Sequence, residues 1–275
     1  MKRLRRPIIL WPLVAVFVLV AAISAFVAIV GHVPSDGRVK LKSQRTYTQG
    51  NYYAFVQPWG VENSRLMRPW GSVADTVSVD MKAFPGNTSL YWRWPPFTPR
   101  NGVGVWGYNH IGFGNYDDGR PEQPIPARQV KDISALAITY DWDGSFRFGE
   151  ATLLTEFFLR SDPEDAESKG LEVGWFLHVS DRTKKFVDTG KQIGTYTDPD
   201  GNAWQVALNE EFCTFSLVGG KDSHKGRIDM LHATRWLMEK GLVKGDEWFT
   251  GVAIGTEPIS GIGHVDLRDW RVEYR

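Results

Sequence analysis

The hydrophobic pattern of the chain begins with one long uninterrupted apolar run. Residues 7–31 contain no charged side chain, whereas residues 1–6 carry four positive charges. A helix of this length spans the roughly 30 Å hydrocarbon core of a membrane, at about 1.5 Å per residue. The positive charges indicate that its N-terminal side is cytoplasmic. We therefore predict a cytoplasmic start at residues 1–6, a single transmembrane anchor at residues 7–31, and a periplasmic or extracellular remainder.

A cleaved signal peptide is the alternative interpretation of this run. Signal peptides have an apolar region of only about 7–15 residues before a cleavage site with small side chains. The small residues between Ser24 and Ala28 suit such a site, but the run itself is 25 residues long. The sequence favours the uncleaved anchor, so we expect a single-pass protein of the cell membrane.

Beyond this run the pattern changes to short β segments. Residues 32–49 are polar and aperiodic and are predicted to be a linker, followed by a folded domain at residues 50–275. Turn residues such as Asp143-Gly144 separate the apolar segments of the domain. The predicted strands lie near residues 52–56, 77–81, 90–94, 103–111, 125–140, 146–159, 171–179, 203–208, 214–218, 248–254 and 265–274.

One segment of the domain has helical spacing instead. Apolar residues recur at this spacing between Ile228 and Leu237, within residues 226–240. Ser223 is a candidate N-cap and Gly241 follows the last turn. A single helix in a chain of many strands predicts an all-β fold, a two-sheet β-sandwich jelly roll with one packed helix. The single N-terminal transmembrane helix precedes it.

Composition narrows the classes of function. The formal net charge is zero, so nothing indicates the basic face that nucleic-acid binding requires. Cys213 is the single cysteine, which excludes a disulfide framework or a cysteine metal cluster within a monomer. The 12 tryptophans suit either a β core or contacts with the flat apolar faces of sugar rings.

Two glutamates lie in predicted strands at positions where chemistry is possible. In Leu-Glu-Val-Gly-Trp-Phe-Leu, alternation puts Glu172 and Phe176 on the face opposite Val173 and Trp175. Glu257 lies in Gly-Thr-Glu-Pro-Ile-Ser-Gly, where we expect the proline to end the strand in a turn. An edge salt bridge and a solvated turn residue are the ordinary explanations. Two facing carboxylates, however, are the machinery of glycoside hydrolysis.

At these motifs the chain resembles glycoside hydrolase family 12, the small jelly-roll endoglucanases and xyloglucanases. The Glu172 motif is similar to the family's Glu-Leu-Met-Ile-Trp-Leu strand, and the Glu257 motif to its Gly-Thr-Glu-Pro-Phe-x-Gly turn. Trp59 looks like the tryptophan after the family's first strand, and Trp92 and Trp94 look like its Trp-x-Trp strand. The resemblance extends over the whole predicted domain.

The resemblance implies a function and roles for individual residues. It implies a membrane-anchored retaining endo-β-1,4-glucanase in which Glu172 is the nucleophile and Glu257 the acid/base. Glu156, in Glu-Phe-Phe-Leu, stands where the family has an aspartate, and is expected to hydrogen-bond Glu172. The implied sugar-binding residues are Gln57, Trp59, Trp92, Trp94 and Phe176.

The chain also departs from the family at the expected floor of the cleft. Gly174 and Phe176 replace a methionine and a tryptophan, and Gln57-Pro58 replaces an Asn-Asn pair. We therefore predict a roomier floor that tolerates branched glucans better than tightly packed cellulose. The residues do not choose among cellulose, mixed-linkage glucan and xyloglucan.

Two other functions remain open from the sequence. The domain is either the enzyme, or a catalytically inactive glycan-binding jelly roll, or an unrelated envelope scaffold that would leave Glu172 and Glu257 unexplained. The six histidines show no metal-ligand spacing, and no nucleotide-binding glycine pattern precedes a helix. We expect no metal, no cofactor and no nucleic acid. The expected partners are a β-glucan and, through the N-terminal helix, the membrane, and the expected state is a monomer.

Overall fold

The computed structural model describes residues 10–61, 65 and 68–275. The chain divides into two units, Met1–Ser35 and Asp36–Arg275. The first contains helix α1 (Leu10–Val30), and its segment Trp11–Val30 has a mean hydropathy of 3.1. This segment is long and apolar enough to cross a membrane, a test that signal sequences also pass. The predicted cytoplasmic start and the first three residues of the predicted anchor lie outside the described residues.

The second unit is built mainly from strands, as the hydrophobic pattern predicts. Its helices are α2 (Arg68–Ala74), α3 (Asp181–Thr189) and α4 (Met230–Glu239). Its strands are β1 (Val39–Leu41), β2 (Thr46–Gln49), β3 (Tyr52–Phe55), β4 (Asp75–Val79), β5 (Thr88–Arg93), β6 (Asn109–Gly114), β7 (Arg128–Gln129), β8 (Leu136–Arg160), β9 (Lys169–His178), β10 (Lys191–Thr197), β11 (Ala203–Asn209), β12 (Phe212–Leu217), β13 (Lys225–Asp229), β14 (Trp248–Phe249) and β15 (Gly251–Tyr274).

The folded unit begins earlier than predicted, so the linker assigned to residues 32–49 is wrong. β1 pairs with β4, and β2 pairs with β3, which places residues 39–41 and 46–49 of this segment in the sheets. Three of the four residues of β2 are exposed. An edge strand of this kind buries too little to show an alternating pattern, and its polar residues therefore resemble a linker.

Two long strands, β8 and β15, run through both layers of the sandwich. Residues 262–267 of β15, which pair with β5, and residues 137–141 of β8, which pair with β13, belong to the first sheet, in the order β1-β4-β5-β15-β8-β13. Segments 251–256 of β15 and 153–160 of β8 belong to the second sheet, in the order β2-β3-β6-β15-β8-β9-β12-β11-β10. β9 and β12 pair in parallel and the other neighbours are antiparallel.

The turns predicted at Asp143-Gly144 and after Pro258 are wrong, because both lie inside these long strands. Asp143 pairs with Asp266, and Pro258 pairs with Ala151 beside a register shift. The Pro258 carbonyl accepts from Trp106 N at 2.8 Å, outside the ladder. Pro258 thus lies at a bulge, where a continuous strand can bend from one sheet to the other, whereas Asp143 and Gly144 hold ordinary ladder positions.

The core lies between the two sheets and includes α4. Leu90 and Val265 of the first sheet belong to the same buried cluster as Trp175 and Val252 of the second. α4 adds buried residues such as Leu237 to this cluster, as expected for the packed helix. The predicted all-β sandwich with a packed helix is therefore confirmed.

The boundaries of the helices differ from the expected ones. α4 begins at Met230 because residues 225–229 pair with β8, and Asp229 caps it by accepting from His232 N at 3.0 Å. Ser223 is therefore not the cap. The sequence does not predict α3, because only Thr183 and Val187 of its nine residues are buried. It matters for function because it packs beside the second sheet, next to the cleft described below.

Candidate active site

The second sheet has one face in the core and one face toward a cleft. In β9, Val173, Trp175 and Leu177 are fully buried between the sheets. Glu172 and Phe176 lie on the other face, as the alternation predicts. The cleft on this face has a volume of about 460 Å³. That size is typical of small-molecule binding pockets.

Six of the eight predicted site residues line this cleft. They are brought together from four different parts of the chain, which a sequence motif alone cannot establish. The six are Gln57, Trp59, Glu156, Glu172, Phe176 and Glu257.

The expectation that Trp92 and Trp94 contact sugar is wrong. Their exposed fractions are 0% and 3%, and both indoles point into the core from β5 and the residue after it. Trp94 stacks on Trp106 at 4.7 Å between ring centroids and donates to Asp75 Oδ1 at 2.9 Å. The alternation places both correctly on one face, but that face is the buried one.

Three carboxyl groups meet on neighbouring strands of the cleft face. Glu156 lies on β8, between Glu172 on β9 and Glu257 on β15. The residue opposite Glu156 on β9 is Gly174, and the one opposite on β15 is Ala253. Small residues on both sides leave room for the longer carboxylate arms to converge.

Glu156 and Glu172 form a coupled pair. Their side chains hydrogen-bond each other, and the Tyr116 hydroxyl donates to Glu156 Oε1. Burial raises the pKa of both carboxyls, and the Glu156 charge raises the pKa of Glu172 further. Two carboxylates this close cannot both stay ionised, so the pair retains a proton well above the usual pH range of glutamate.

Glu257 also holds a proton at neutral pH. Burial, followed by the charge of Glu156, raises its pKa from 4.5 to about 8. Its own charge acts on Glu172, so the two groups lie within electrostatic reach of each other. The fully buried Tyr108 lies among the three carboxyls, whose charges raise the pKa of its hydroxyl beyond the effect of burial.

The floor of the cleft at Gly174 is filled rather than open. A Cβ at Gly174 would lie 2.8 Å from Phe212 Cε2, so the Phe212 ring occupies the space that a larger side chain would take. Phe212 contacts Phe176 edge-on at 5.9 Å and lies 6.3 Å from Phe186 of α3, between ring centroids. Phe212 therefore takes up the space expected at Gly174, while the greater tolerance for branched glucans stays a prediction.

Several residues of the cleft are not predicted by the sequence. Tyr108 and Tyr116 come from the flanks of β6, Asp117 from the following loop, and Phe186 from the unpredicted α3. Phe212 is the first residue of β12. The alternation of β12 gave the only available signal, because Phe212 lies on the face opposite the buried Cys213 and Phe215. Among the described residues, no group of three His, Cys, Asp or Glu side chains is arranged to hold a metal.

The arrangement has the elements of acid/base and nucleophilic chemistry without a metal. A carboxyl with a pKa of about 8 faces a pair of carboxyls that share a proton, in a cleft with apolar walls. Environments that push the pKa values of facing carboxyls apart are typical of a general acid opposite a nucleophile or base. The fold and the site together define a β-sandwich with a carboxyl-lined cleft.

Solved structures of glycoside hydrolase family 12 share this architecture. The chain is similar to endoglucanase 3 of Trichoderma harzianum from this family, with a TM-score of 0.64 and 18% identity over 89% of this chain and 100% of the other. It is similar to a family 12 xyloglucanase of Bacillus licheniformis, with a TM-score of 0.68 and 16% identity over 86% and 100%. It is also similar to endoglucanase cel12A of Rhodothermus marinus, with a TM-score of 0.65 and 14% identity over 86% of this chain and 100% of the other.

These similarities establish the fold. No protein-family model and no curated protein matches the chain in sequence. At 14–18% identity the shared property is architecture, and function has to be argued from the site itself. The second unit of the chain therefore has the family 12 jelly-roll fold, as its motifs indicate.

Proposed function

We propose that the chain is a retaining endo-β-1,4-glucanase that hydrolyses neutral β-glucans. The observation that carries the proposal is the cluster of Glu156, Glu172 and Glu257 in one cleft. Each strand that supplies a carboxyl also supplies buried core residues on its other face, so the cluster is held by a rigid sheet. Proteins with the same fold include endoglucanases and xyloglucanases.

The first chemical step forms a glycosyl-enzyme. A carboxylate oxygen of Glu172 attacks the anomeric carbon while the bond from that carbon to the glycosidic oxygen breaks. Glu257 transfers its proton to the departing oxygen, which leaves as a sugar hydroxyl. The raised pKa of Glu257, about 8, keeps this proton available at neutral pH.

The second step returns the enzyme to its starting state. Glu257, now ionised, takes a proton from water as the water oxygen attacks the anomeric carbon. The bond to Glu172 breaks and the carboxylate is restored. Two inversions at one carbon leave the product in the β configuration of the substrate.

Glu156 supports this cycle by exchanging a proton with Glu172 inside the coupled pair. The pKa directions favour the proton on Glu172 at rest, so it has to move to Glu156, whose hydroxyl then donates to the Glu172 carboxylate that attacks. The Tyr116 hydroxyl fixes the orientation of Glu156 through its hydrogen bond to Oε1. Glu156 is then a positioning residue, since it acts through Glu172.

Sugar binding is assigned to the lining residues on either side of the carboxyls. Trp59 and Phe212 are partly exposed aromatic rings of the cleft lining, Phe176 lines the cleft but is only 2% exposed, and Gln57 offers a side-chain amide. Apolar ring faces suit the axial C–H faces of glucose units, and the amide suits their hydroxyls.

The N-terminal helix is proposed to anchor the enzyme to the cell membrane, with the cleft outside the cytoplasm. Its apolar run and the positive residues before it support this orientation. Sequencing the N-terminus of the native protein tests the anchor. An uncleaved anchor leaves the start intact, whereas an N-terminus beyond residue 20 would show a processed signal peptide. We expect the protein to act as a monomer.

The direct test of the proposed activity uses the full chain in detergent. Reducing ends are measured after incubation with amorphous cellulose, mixed-linkage β-glucan and xyloglucan, and NMR follows the anomeric configuration of the first product. Release of β-configured oligosaccharides supports the proposal, and α-configured product would contradict the retaining mechanism. Binding of these glucans without any release would favour the inactive glycan-binding alternative.

A further inference from the structure

The loop after β6 presents a fourth carboxylate to the cleft. Three consecutive residues of this loop are each held by a different partner. The Tyr116 side chain contacts Glu156, Asp117 pairs with Lys169, and Asp118 pairs with Arg160. The Tyr116 carbonyl also accepts from the Tyr53 hydroxyl at 2.7 Å. The loop is therefore fixed at every residue from 116 to 118.

The backbone of this loop adopts a conformation that ordinary residues rarely take. The φ angles of Asp117 and Asp118 are +44° and +62°, in the left-handed region. This region costs most L-residues free energy and persists where surrounding contacts enforce it. Glycine would adopt both angles without strain, so the sequence supplies a carboxylate at Asp117 where a simpler turn residue would suffice.

The Asp117 carboxylate lines the cleft with one oxygen held only weakly. Oδ1 is paired with Lys169 Nζ. Oδ2 accepts a hydrogen bond from Gln57 Nε2 at 3.5 Å, long enough for a ligand hydroxyl to compete for this oxygen. Asp117 and Gln57 both line the cavity, so a hydroxyl group can approach both from the cleft.

We propose that Asp117 is a substrate-binding residue that accepts a hydrogen bond from a sugar hydroxyl and excludes acidic sugars from its subsite. The inference rests on the proposed function and names a specificity determinant of the same cleft. The group recognised is the hydroxyl-bearing edge of an uncharged glucose unit, bound between Asp117 and Gln57.

The charges around Asp117 support this selectivity. Burial raises its pKa, but the hydrogen bond and charge of Lys169 outweigh this effect, so the net pKa is lowered and the group is ionised at neutral pH. Its charge acts on Glu156 and Glu172, which places it on the carboxyl side of the cleft. The ion pair with Lys169 offsets the charge of Asp117, but the coupled Glu156–Glu172 pair adds negative charge on the same side of the cleft, so a uronate or carboxymethyl group there would be repelled.

The test compares Asp117→Asn and Asp117→Gly with Asp118→Asn in the full chain in detergent. Asp118 shares the left-handed backbone but contacts Arg160 and does not line the cleft, so it is a matched control. Cellotetraose affinity is measured by calorimetry in a Glu172→Gln background, which prevents turnover. We expect both Asp117 variants to bind roughly 10–100-fold more weakly, as for loss of a hydrogen bond to a charged group, and the control to be unchanged.

A second measurement tests the selectivity in the active protein. Hydroxyethyl cellulose and carboxymethyl cellulose of equal substitution are compared as neutral and acidic substrates. Without the Asp117 charge, the ratio of acidic to neutral hydrolysis is expected to rise about tenfold. A loop that Asp117 only stabilises would change thermal stability but not this ratio.

The outcomes separate this inference from the proposed function. Unchanged cellotetraose affinity and an unchanged substrate ratio in both Asp117 variants would overturn the role of Asp117 and leave the glucanase proposal intact. Wild-type protein that neither binds cellotetraose nor cleaves either polymer would overturn the glucanase proposal, and this inference with it.

Discussion

The two faces of β9 are made by alternate residues of one strand, yet they obey opposite rules. Toward the core, Val173, Trp175 and Leu177 are fully buried and belong to the cluster of buried side chains between the sheets. Toward the cleft, Glu172 is paired with another carboxyl and lies beside aromatic rings. The core face is organised to lower the free energy of the fold. The cleft face holds groups that the fold disfavours.

The directions of the pKa shifts give the physical basis of this contrast. Burial raises the pKa of Glu156, Glu172 and Glu257 because the charged form of each is poorly solvated in the cleft. Burial of apolar side chains on the core face therefore offsets the free energy that the poorly solvated carboxyls of the cleft face cost. Substitutions on the two faces should have opposite consequences, activity being lost on one and stability on the other.

The largest effect is expected for Glu172→Gln, which removes the proposed nucleophile. The kcat/KM on soluble β-glucan should fall by about 10⁵-fold, equivalent to roughly 7 kcal/mol of activation free energy. The thermal midpoint should stay at or above that of the wild type, because an amide has no charge to desolvate. Glu211→Gln is the control, since Glu211 is an exposed residue near the cleft. Equal losses of kcat/KM in Glu172→Gln and Glu211→Gln would show that the loss is not specific to the cleft face.

The next largest effect is expected for a substitution on the core face. Trp175 stacks on Phe215 at 4.7 Å between ring centroids and is fully buried. Trp175→Ala should lower the free energy of unfolding by about 3–5 kcal/mol, measured by chemical denaturation. Trp175→Phe keeps most of the packing and removes an indole N–H that has no hydrogen-bond partner among the described residues. It should therefore lower the free energy of unfolding much less. A Trp175→Ala variant as stable as the wild type would contradict the assignment of this face to the core.

Glu257→Gln is expected to change stability in a pH-dependent way. The folded pKa, about 8, lies above the ordinary value of 4.5, so the folded state binds the proton more tightly than the unfolded chain. The resulting stabilisation is complete below pH 4.5 and is lost as the pH rises to about 8. The amide does not titrate, so the variant should be roughly 2–4 kcal/mol more stable than the wild type at pH 9.

The measurement for Glu257 is denaturant unfolding at pH 4 and pH 9, with Glu211→Gln as the exposed control. Wild type and Glu257→Gln should differ little at the acidic pH and separate at the alkaline one. A variant that loses stability at pH 9 would show that the carboxylate is well solvated or paired there, contrary to the raised pKa.

The smallest effect concerns the floor of the cleft. A methyl group at Gly174 would press on the partly exposed Phe212 ring, which can rotate away. Gly174→Ala should therefore cost less than about 1 kcal/mol of stability, while the KM for polymer rises several-fold. Gly170→Ala lies on the same strand with its nearest contact at 3.4 Å and outside the cleft lining, so it should change neither quantity. Identical KM values in Gly174→Ala and Gly170→Ala would show that Phe212 does not contact the substrate.

The sequence predicts the core face better than the cleft face, and the reason is periodicity. Alternation alone is enough to place Trp175 and Glu172 on opposite sides of one strand. It also places Trp92 and Trp94 together, but cannot say that their common side is the buried one. That distinction depends on which sheet β5 joins, and no local pattern records it.

Other features escape the sequence for different reasons. The continuous paths of β8 and β15 are hidden because Asp143-Gly144 and Pro258 look like turn residues, although in a bent strand they form bulges or ordinary ladder positions. The backbone at Asp117 is left-handed. Because the residue is not a glycine, the sequence does not predict this conformation. Tyr116 reaches Glu156 only through tertiary folding, from 40 residues away in the chain.

The most direct test of the central claim is azide rescue of Glu257→Ala with a dinitrophenyl cellobioside. The good leaving group needs little protonation, so the glycosyl-enzyme on Glu172 should form and accumulate, because the base for water attack is missing. Azide needs no such base, and should recover much of the roughly 10²–10⁴-fold loss expected without the acid/base. The predicted product is the β-glycosyl azide. Rescue of Glu257→Ala with an α-glycosyl azide, or of Glu172→Ala with a β-glycosyl azide, would reverse the two roles, and wild-type activity in both variants would contradict the catalytic account.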